Sequence, residues 1–355
     1  VAIIIRKLLR RYKMQLQDLI IKLCNISGPS GFEEDVCKAI NEAVAPFADE
    51  ISTDAMGNLL AIKRCGKENA KMIMIDAHTD EVGLIVTGYE KGFLRFGAIG
   101  GVDSRMLPGR QVRILCPEPV IGVIDVMPPH ALSKGDMDKS IPIDELYIDI
   151  CMDGDTAKSC IPLGTAISYV SETGLFGDGF ICGKSLDDRS CCAIAIKCLE
   201  NLNGMSLDVD VAFQFASQEE LGFRGCIAGT YNVNPDYAIA IDVTHGSTPD
   251  AAKHLTLEMG GGAVISRGPN MTKSFTDAIE LVAKEQDIKY QIEVISGRSG
   301  TDAWPIQVSR QGIATALVSL PLRYMHSPVE VISISDAEGI VSLLTQFIAK
   351  AGEVL

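Results

Sequence analysis

The stretch from Lys71 to Gly83, KMIMIDAHTDEVG, constrains this chain more than any other. Its apolar run MIMI is bounded by polar residues and too brief for a helix, so it reads as a short buried strand. A second apolar run, GLIV, follows almost at once. His78 and Asp80 sit between the two, where the first strand runs out and where open α/β sheets collect ligands. In extended backbone, residues two apart point the same way. Asp80 is therefore placed to engage one ring nitrogen of His78 and leave the other aimed at a metal. A structural His–Asp pair is the plainer use of the same two side chains.

The flanking sequence makes this strand part of an α/β unit. Gln15–Cys24 has helical spacing (Leu16, Leu19, Ile20, Leu23) and stops before Gly28-Pro29. Ser30 and Glu33 have the spacing of a capping box for a second helix. Residues 51–62 read as a hairpin turning at Met56-Gly57-Asn58. From about Gly83 to Thr173 helical periodicity nearly vanishes, and short apolar alternations are broken by Gly and Pro. That texture predicts a small all-β barrel or sandwich inserted into the α/β domain. After Gly174 strands (Phe180–Leu186, Leu207–Ala216, Tyr237–Ile241, Ile288–Val294, Ala314–Leu320) alternate with helices (after Asp187, Ser274–Gln286, Ser335–Lys350). The expected architecture is a doubly wound, mixed α/β sheet built from residues 14–82 and 174–355, with a barrel-like β domain at 83–173. Residues 1–13 read as an upstream extension, with Met14 as a candidate start. The insert's longest polar loop, Pro128 to Ile143, carries His130; loops of that length are commonly either disordered or functional.

Composition narrows the function classes. A net charge of -14 argues against nucleic acid or an anionic membrane as partner, since either needs a basic face. The opening apolar run is too short to span a bilayer. The eleven cysteines are odd in number and contain no C-x-x-C pair, which suggests neither a disulfide framework nor a zinc ribbon. Reduced thiols packing as small hydrophobes, in a cytoplasmic setting, fit that usage.

Five places in the chain now carry metal-ligand chemistry. His78, Glu219-Glu220, Asp242 and His326 follow four strands, and Asp187 stands at the mouth of a helix. Each has a plainer reading: Asp187 as a helix cap, Asp242 as a turn residue, Glu219-Glu220 as a solvated pair, His326 as a buried histidine. Their convergence at strand ends favours one site. Two histidines with three or more carboxylates exceed a single tetrahedral zinc site. They suit two divalent ions bridged by one carboxylate, which together acidify a water and polarise a carbonyl, as amide hydrolysis requires. Zinc is the default; carboxylate-rich sites also take cobalt or manganese. A free carboxylate must then carry the proton from water to leaving amine. Neighbours on an extended segment point apart, so Glu219 is free for that role beside a ligating Glu220.

DAHTDEVG, GKSLDDRSC, SQEELGFRG, AIDVTH, SGTDA and MHSPVE resemble the tetrahedral aminopeptidases, the dinuclear metallopeptidases of family 42 that include glutamyl and deblocking aminopeptidases. The resemblance runs from about Met14 to the C-terminus and includes the insert, where GGVDSRMLPG and VIGVIDVMPPH look like that family's dimerisation domain. It implies that Asp187 bridges two metals, that His78 and Asp242 complete one site and Glu220 and His326 the other, and that Glu219 is the general base. Asp80 would orient His78. It also implies a cis peptide at Asp187-Asp188, Thr301 and Asp302 as candidates for the substrate pocket wall, and His130 as a residue delivered to a neighbouring subunit's site. Homodimers would assemble into a hollow dodecamer that admits short peptides. Arg267 and Arg298 are further candidates for the pocket, where either would favour acidic N-terminal residues; both also read as surface arginines.

Two other classes compete. An endoglucanase-type glycosidase needs opposed carboxylates and usually aromatic platforms, yet aromatics make up 6% of the chain and Trp304 is its one tryptophan. A non-catalytic assembly protein that kept the fold would have no use for Glu219.

Overall fold

A computed structural model describes residues 14–126 and 141–355; the expected extension 1–13 and the position of His130 lie outside the described residues. Helix α1 (Leu16–Cys24) buries Leu16, Leu19, Ile20 and Leu23, the stripe that its spacing predicts. Helix α2 (Glu34–Val44) follows, but the capping box does not form. The Ser30 hydroxyl donates instead to Asp80, and Glu33 accepts the backbone N–H groups of Gly31 and Gln218. Partners supplied by the folded core outcompete the local cap. Strands β1 (Glu50–Thr53) and β2 (Leu59–Lys63) pair as the expected hairpin, and β3 (Met72–His78) is the MIMI strand.

Strands β4 (Gly83–Glu90), β5 (Phe93–Ile99), β6 (Arg110–Ile114), β7 (Val120–Asp125), β8 (Tyr147–Asp149) and β9 (Ala166–Tyr169) close an antiparallel barrel in the order β4-β5-β8-β7-β6-β9. Its core comprises Leu84, Val86, Leu94, Val112, Ile114 and Ile148, among others. Along β6 and β7 the inward residues Val112, Ile114 and Ile124 are buried while their neighbours face out, as the two-residue period of a barrel wall demands.

The remaining strands are β10 (Gly174–Phe176), β11 (Phe180–Gly183), β12 (Asp210–Ala216), β13 (Tyr237–His245), β14 (Ala263–Arg267), β15 (Tyr290–Val294), β16 (Ala314–Arg323) and β17 (Glu330–Ser333). With β1–β3 they form an eleven-stranded sheet in the order β1-β2-β12-β3-β13-β16-β17-β11-β10, to which β14 and β15 add alongside β16. The centre (β12, β3, β13, β16) is parallel and the flanks are antiparallel, so the sheet is mixed. Both faces are covered. Ile73 and Ile75 of β3 pack with α1, α2 and the helices 186–202, 273–285 and 334–349. Met74 points the other way, toward Cys226, Ala303 and Ile306 of the helices 224–233 and 303–307. From β3 the chain reaches β12 on one side and β13 on the other. The carboxyl end of β3 is thus a switch point, where ligand crevices form in such sheets. Among the described residues no helix is long and apolar enough to cross a membrane.

Candidate metal centre

Three strand ends, the interior of a fourth strand and one helix mouth meet at that switch point. His78 ends β3, Glu219 and Glu220 follow β12 in a short turn, Asp242 lies within β13, and His326 comes three residues after β16. Asp187 stands at the head of the helix 186–202 and its peptide bond to Asp188 is cis. All six line one cavity of about 290 Å³.

Asp187 is the centre of the group. One of its oxygens is 3.1 Å from His78 Nε2 and the other is 3.4 Å from His326 Nε2. Glu220 Oε1 is 3.1 Å from His326 Nε2. Two donor triads result, His78–Asp187–Asp242 and Asp187–Glu220–His326, each with its donor atoms within 4.8 Å of one another. A third grouping, His78–Glu219–Glu220, meets the same spacing, but Glu219 stands back, with its Oε2 4.0 Å from His78 Nε2.

The surroundings fix how these donors point. At His78 Nδ1 the backbone oxygen of Asp80 lies at 3.2 Å and its carboxylate at 3.4 Å, so Nε2 is the nitrogen that faces the cavity. Asp80 also accepts the backbone N–H groups of Glu219 at 2.9 Å and Glu220 at 3.1 Å, tying the β3 end to the β12 turn. His326 Nδ1 lies 3.1 Å from the carbonyl oxygen of Gly101, a residue that follows β5 of the barrel. An N–H donated there leaves Nε2 as the free lone pair, the usual arrangement of a ligating histidine. The barrel therefore reaches into the site.

Charge in the cluster is unbalanced without a cation. Burial, reinforced by Asp187 and Glu220, pushes Asp242 up to about 8, even though His78 opposes it. Burial with the crowding of Asp242, Glu220 and Asp187 pushes Glu219 up to about 9. Burial opposes charge on His326, but Asp187 and Glu220 overcome it and hold the imidazole at about 11. His78 is likewise held well above the ordinary imidazole range by Asp187 and Asp80, despite its burial. The shifts mark a place that favours added positive charge, which divalent ions would supply. Two imidazoles, a central carboxylate and two flanking carboxylates are the donor types that zinc, cobalt or manganese accept. The residues fit a dinuclear centre.

The remaining candidates are placed differently from one another. Thr301 lines the cavity, but Asp302 does not. Asp302 is buried behind it in a cluster with Asp76 and Cys226. Arg267 and Arg298 are also absent from the cavity wall. Arg267 is drawn away by ion pairs with Glu280 and, at 2.8 Å, Asp277, and Arg298 is exposed. Neither arginine is therefore among the residues that line this cavity.

Three groups escaped the sequence reading. Glu81 is buried, its carboxylate 2.7 Å from Lys184 Nζ and 3.5 Å from Arg189, and it accepts the N–H of Gly28 at 2.8 Å. Arg189 is buried and donates to the backbone oxygens of Thr79, Leu23, Ile26 and Gly28. This ion cluster braces the loops around the site, and its members lie inside the motifs DEVG and GKSLDDR, which was the available signal. The Gly101 carbonyl lies inside GGVDSRMLPG, but a backbone oxygen carries no side-chain mark of its role. Glu293, which lines the cavity from β15, had no such signal.

A family model described as M42 glutamyl aminopeptidase matches residues 57–343. The chain is 30% identical to the lysyl aminopeptidase of Pyrococcus furiosus over 332 residues, covering 92% of this chain and 94% of that one. Its structure is similar to that of an aminopeptidase from the archaeon Desulfurococcus kamchatkensis, with a TM-score of 0.88 at 33% identity over 95% of each chain. It is also similar to the TET1 peptidase of Pyrococcus horikoshii, which assembles into a tetrahedron or a large octahedral shell; there the TM-score is 0.83 at 30% identity, over 94% of this chain and 99% of that one. Given a family match over most of its length, and relatives covered almost end to end, the chain belongs to the M42 glutamyl aminopeptidase family.

Proposed function

We propose that this protein is a two-metal aminopeptidase that removes N-terminal residues from short peptides. The observation that carries the reading is the pair of donor triads sharing Asp187 in one cavity, with the carboxylate of Glu219 on the same wall. His78, Asp187 and Asp242 would hold one divalent ion, and Asp187, Glu220 and His326 the other. Bound there, the ions would polarise the scissile carbonyl and acidify a water. The chain's own residues do the rest. Asp80 orients His78 and, through the backbone of Glu219 and Glu220, keeps both carboxylates at the cavity. Glu219 takes the proton of the attacking water and returns it to the leaving amine. Thr301 contributes to the wall against which the substrate lies.

The organisation follows the same reading. Residues 14–82 and 174–355 form the catalytic domain and 83–173 a dimerisation domain, with the outward-facing Phe93, Ile121 and Val123 of the barrel as apolar contact surface. Dimers assembling into a dodecamer, as a TET-type particle in the cytoplasm, and zinc as the native ion complete the proposal. His130 would lie in the loop that a dimer brings to a neighbouring site.

The test is metal-stripped protein refilled with zinc, cobalt or manganese and assayed on aminoacyl p-nitroanilides, short peptides and a cellulose polymer. Two ions per subunit, hydrolysis of the aminoacyl substrates alone, and loss of about 10²–10⁴-fold in Glu219→Gln with both ions retained are expected. One ion per subunit, or full activity in Glu219→Gln, rejects the mechanism. Light scattering on the same preparation reads the oligomer.

A further inference from the structure

We propose that Glu293 makes this site selective for a basic N-terminal residue, lysine or arginine; the inference rests on the aminopeptidase reading above. Five carboxylates line the cavity: Asp187, Glu219, Glu220, Asp242 and Glu293. Four of them belong to the donor groupings around His78 and His326, and Glu293 does not. Among the described residues no lysine or arginine lines the cavity. Glu293 is therefore a negative charge left over after the metal centre is accounted for.

Its position gives that charge a reach. Thr244 lies two residues beyond Asp242 on β13, so both side chains leave the same face of the strand, roughly 7 Å apart. The Thr244 hydroxyl donates to Glu293 Oε1 at 2.7 Å, and the Ser266 hydroxyl donates to Oε2 at 3.0 Å. Glu293 thus stands one hydrogen bond beyond a residue that is itself one strand repeat from the metal centre. A peptide whose scissile carbonyl lay at the metal centre would extend its first side chain over this interval, which suits a lysine stem four carbons long.

The pocket also has the right texture. Ile295, Leu317 and Met325 contribute apolar wall to the same cavity, suited to the methylenes of a lysine or arginine whose charged head lies further on. The two hydroxyls orient the carboxylate before any substrate arrives and leave each oxygen a free lone pair. An ammonium or guanidinium would form a charge-assisted hydrogen bond there. An acidic side chain would meet like charge. Among the described residues His245 is the only wall histidine outside the donor groupings, and it is exposed at the end of β13. The sign is opposite to that expected had Arg267 or Arg298 lined the pocket.

The test uses the full-length, metal-loaded protein and the p-nitroanilides of lysine, arginine, leucine and glutamate. Wild type should show its highest kcat/KM with lysine or arginine and its lowest with glutamate. In Glu293→Gln the lysine-to-leucine ratio of kcat/KM should fall about 10–100-fold, the range for a hydrogen bond to a charged group. Glu293→Lys should invert the lysine-to-glutamate preference. Calorimetry with free L-lysine and L-leucine supplies a readout independent of turnover: lysine should bind more tightly to wild type, and the difference should vanish in Glu293→Gln. A wild-type preference for leucine or glutamate overturns the inference, as does an unchanged ratio in Glu293→Gln. Absence of hydrolysis on every substrate would instead defeat the aminopeptidase reading, and the binding comparison would then decide the role of Glu293 alone.

Discussion

Replacing Gly101 by alanine tests whether the barrel positions a metal ligand. A Cβ built at Gly101 falls 2.8 Å from His326 Nδ1 and 3.1 Å from Cε1, where ordinary contact begins at 3.4 Å. The imidazole must retreat by about 0.6 Å, away from the Gly101 carbonyl that lies 3.1 Å from Nδ1. Loss of such an outer partner typically costs a ligating histidine 10–100-fold in metal affinity, about 1.4–2.7 kcal/mol. The assay is titration of metal-stripped protein with zinc in competition with a chelator, resolving two binding steps per subunit. One step should weaken by that factor, and turnover should fall with it. Gly101 is exposed and the added methyl meets only His326, so the metal-free protein should keep its stability to within ~0.5 kcal/mol. Two binding steps and a kcat/KM equal to wild type would show that His326 is no ligand, or that its orientation does not depend on the barrel.

Two other outcomes follow from buried charge. Glu81→Gln leaves Lys184 and Arg189 without their carboxylate and should cost ~3–5 kcal/mol in urea denaturation; a change below 1 kcal/mol would show that the cluster braces nothing. Burial would raise the Glu81 carboxyl, but Lys184 and Arg189 outweigh it and hold it at about 2, against an ordinary 4.5. A depressed carboxylate stabilises the fold above the unfolded value and loses that contribution as pH falls through the folded one. Wild type should therefore lose stability between pH 4.5 and 2 more steeply than Glu81→Gln does; parallel curves would contradict the assignment. At the metal centre the signs run the other way, since Asp242, Glu219 and His326 hold protons up to about 8, 9 and 11 without metal. Metal binding must expel protons, so affinity should rise with pH, and calorimetry in buffers of different ionisation enthalpy should register proton release at pH 7. No release there would show the ions binding elsewhere.

Much of the fold was legible because burial writes directly into the sequence. The MIMI and VDVAFQFA runs are buried on both faces, as central parallel strands must be, and the insert's alternation announces a wall with one wet side. The donors were legible because strand ends at a switch point lie close in space even when far apart along the chain. What failed were inferences from local spacing. Ser30 and Glu33 have capping-box spacing, yet Asp80 and the β12 turn supply partners that sequence distance conceals. Asp302 is one residue from a wall residue and still turns into the core beside Asp76. Arg267 finds acids ten and thirteen residues onward, on a helix it packs against. Glu293 sits on an edge strand whose neighbours Ile292 and Val294 are exposed, so its alternation reads as a solvent face.

The carbonyl that holds His326 belongs to a different body from the histidine itself. Gly101 lies between β5 and β6 of the barrel, whereas His326 follows β16 of the sheet, so one imidazole takes its bearing from both. His78 has no such tie: its ring nitrogens face Asp80 and Asp187, both outside the barrel.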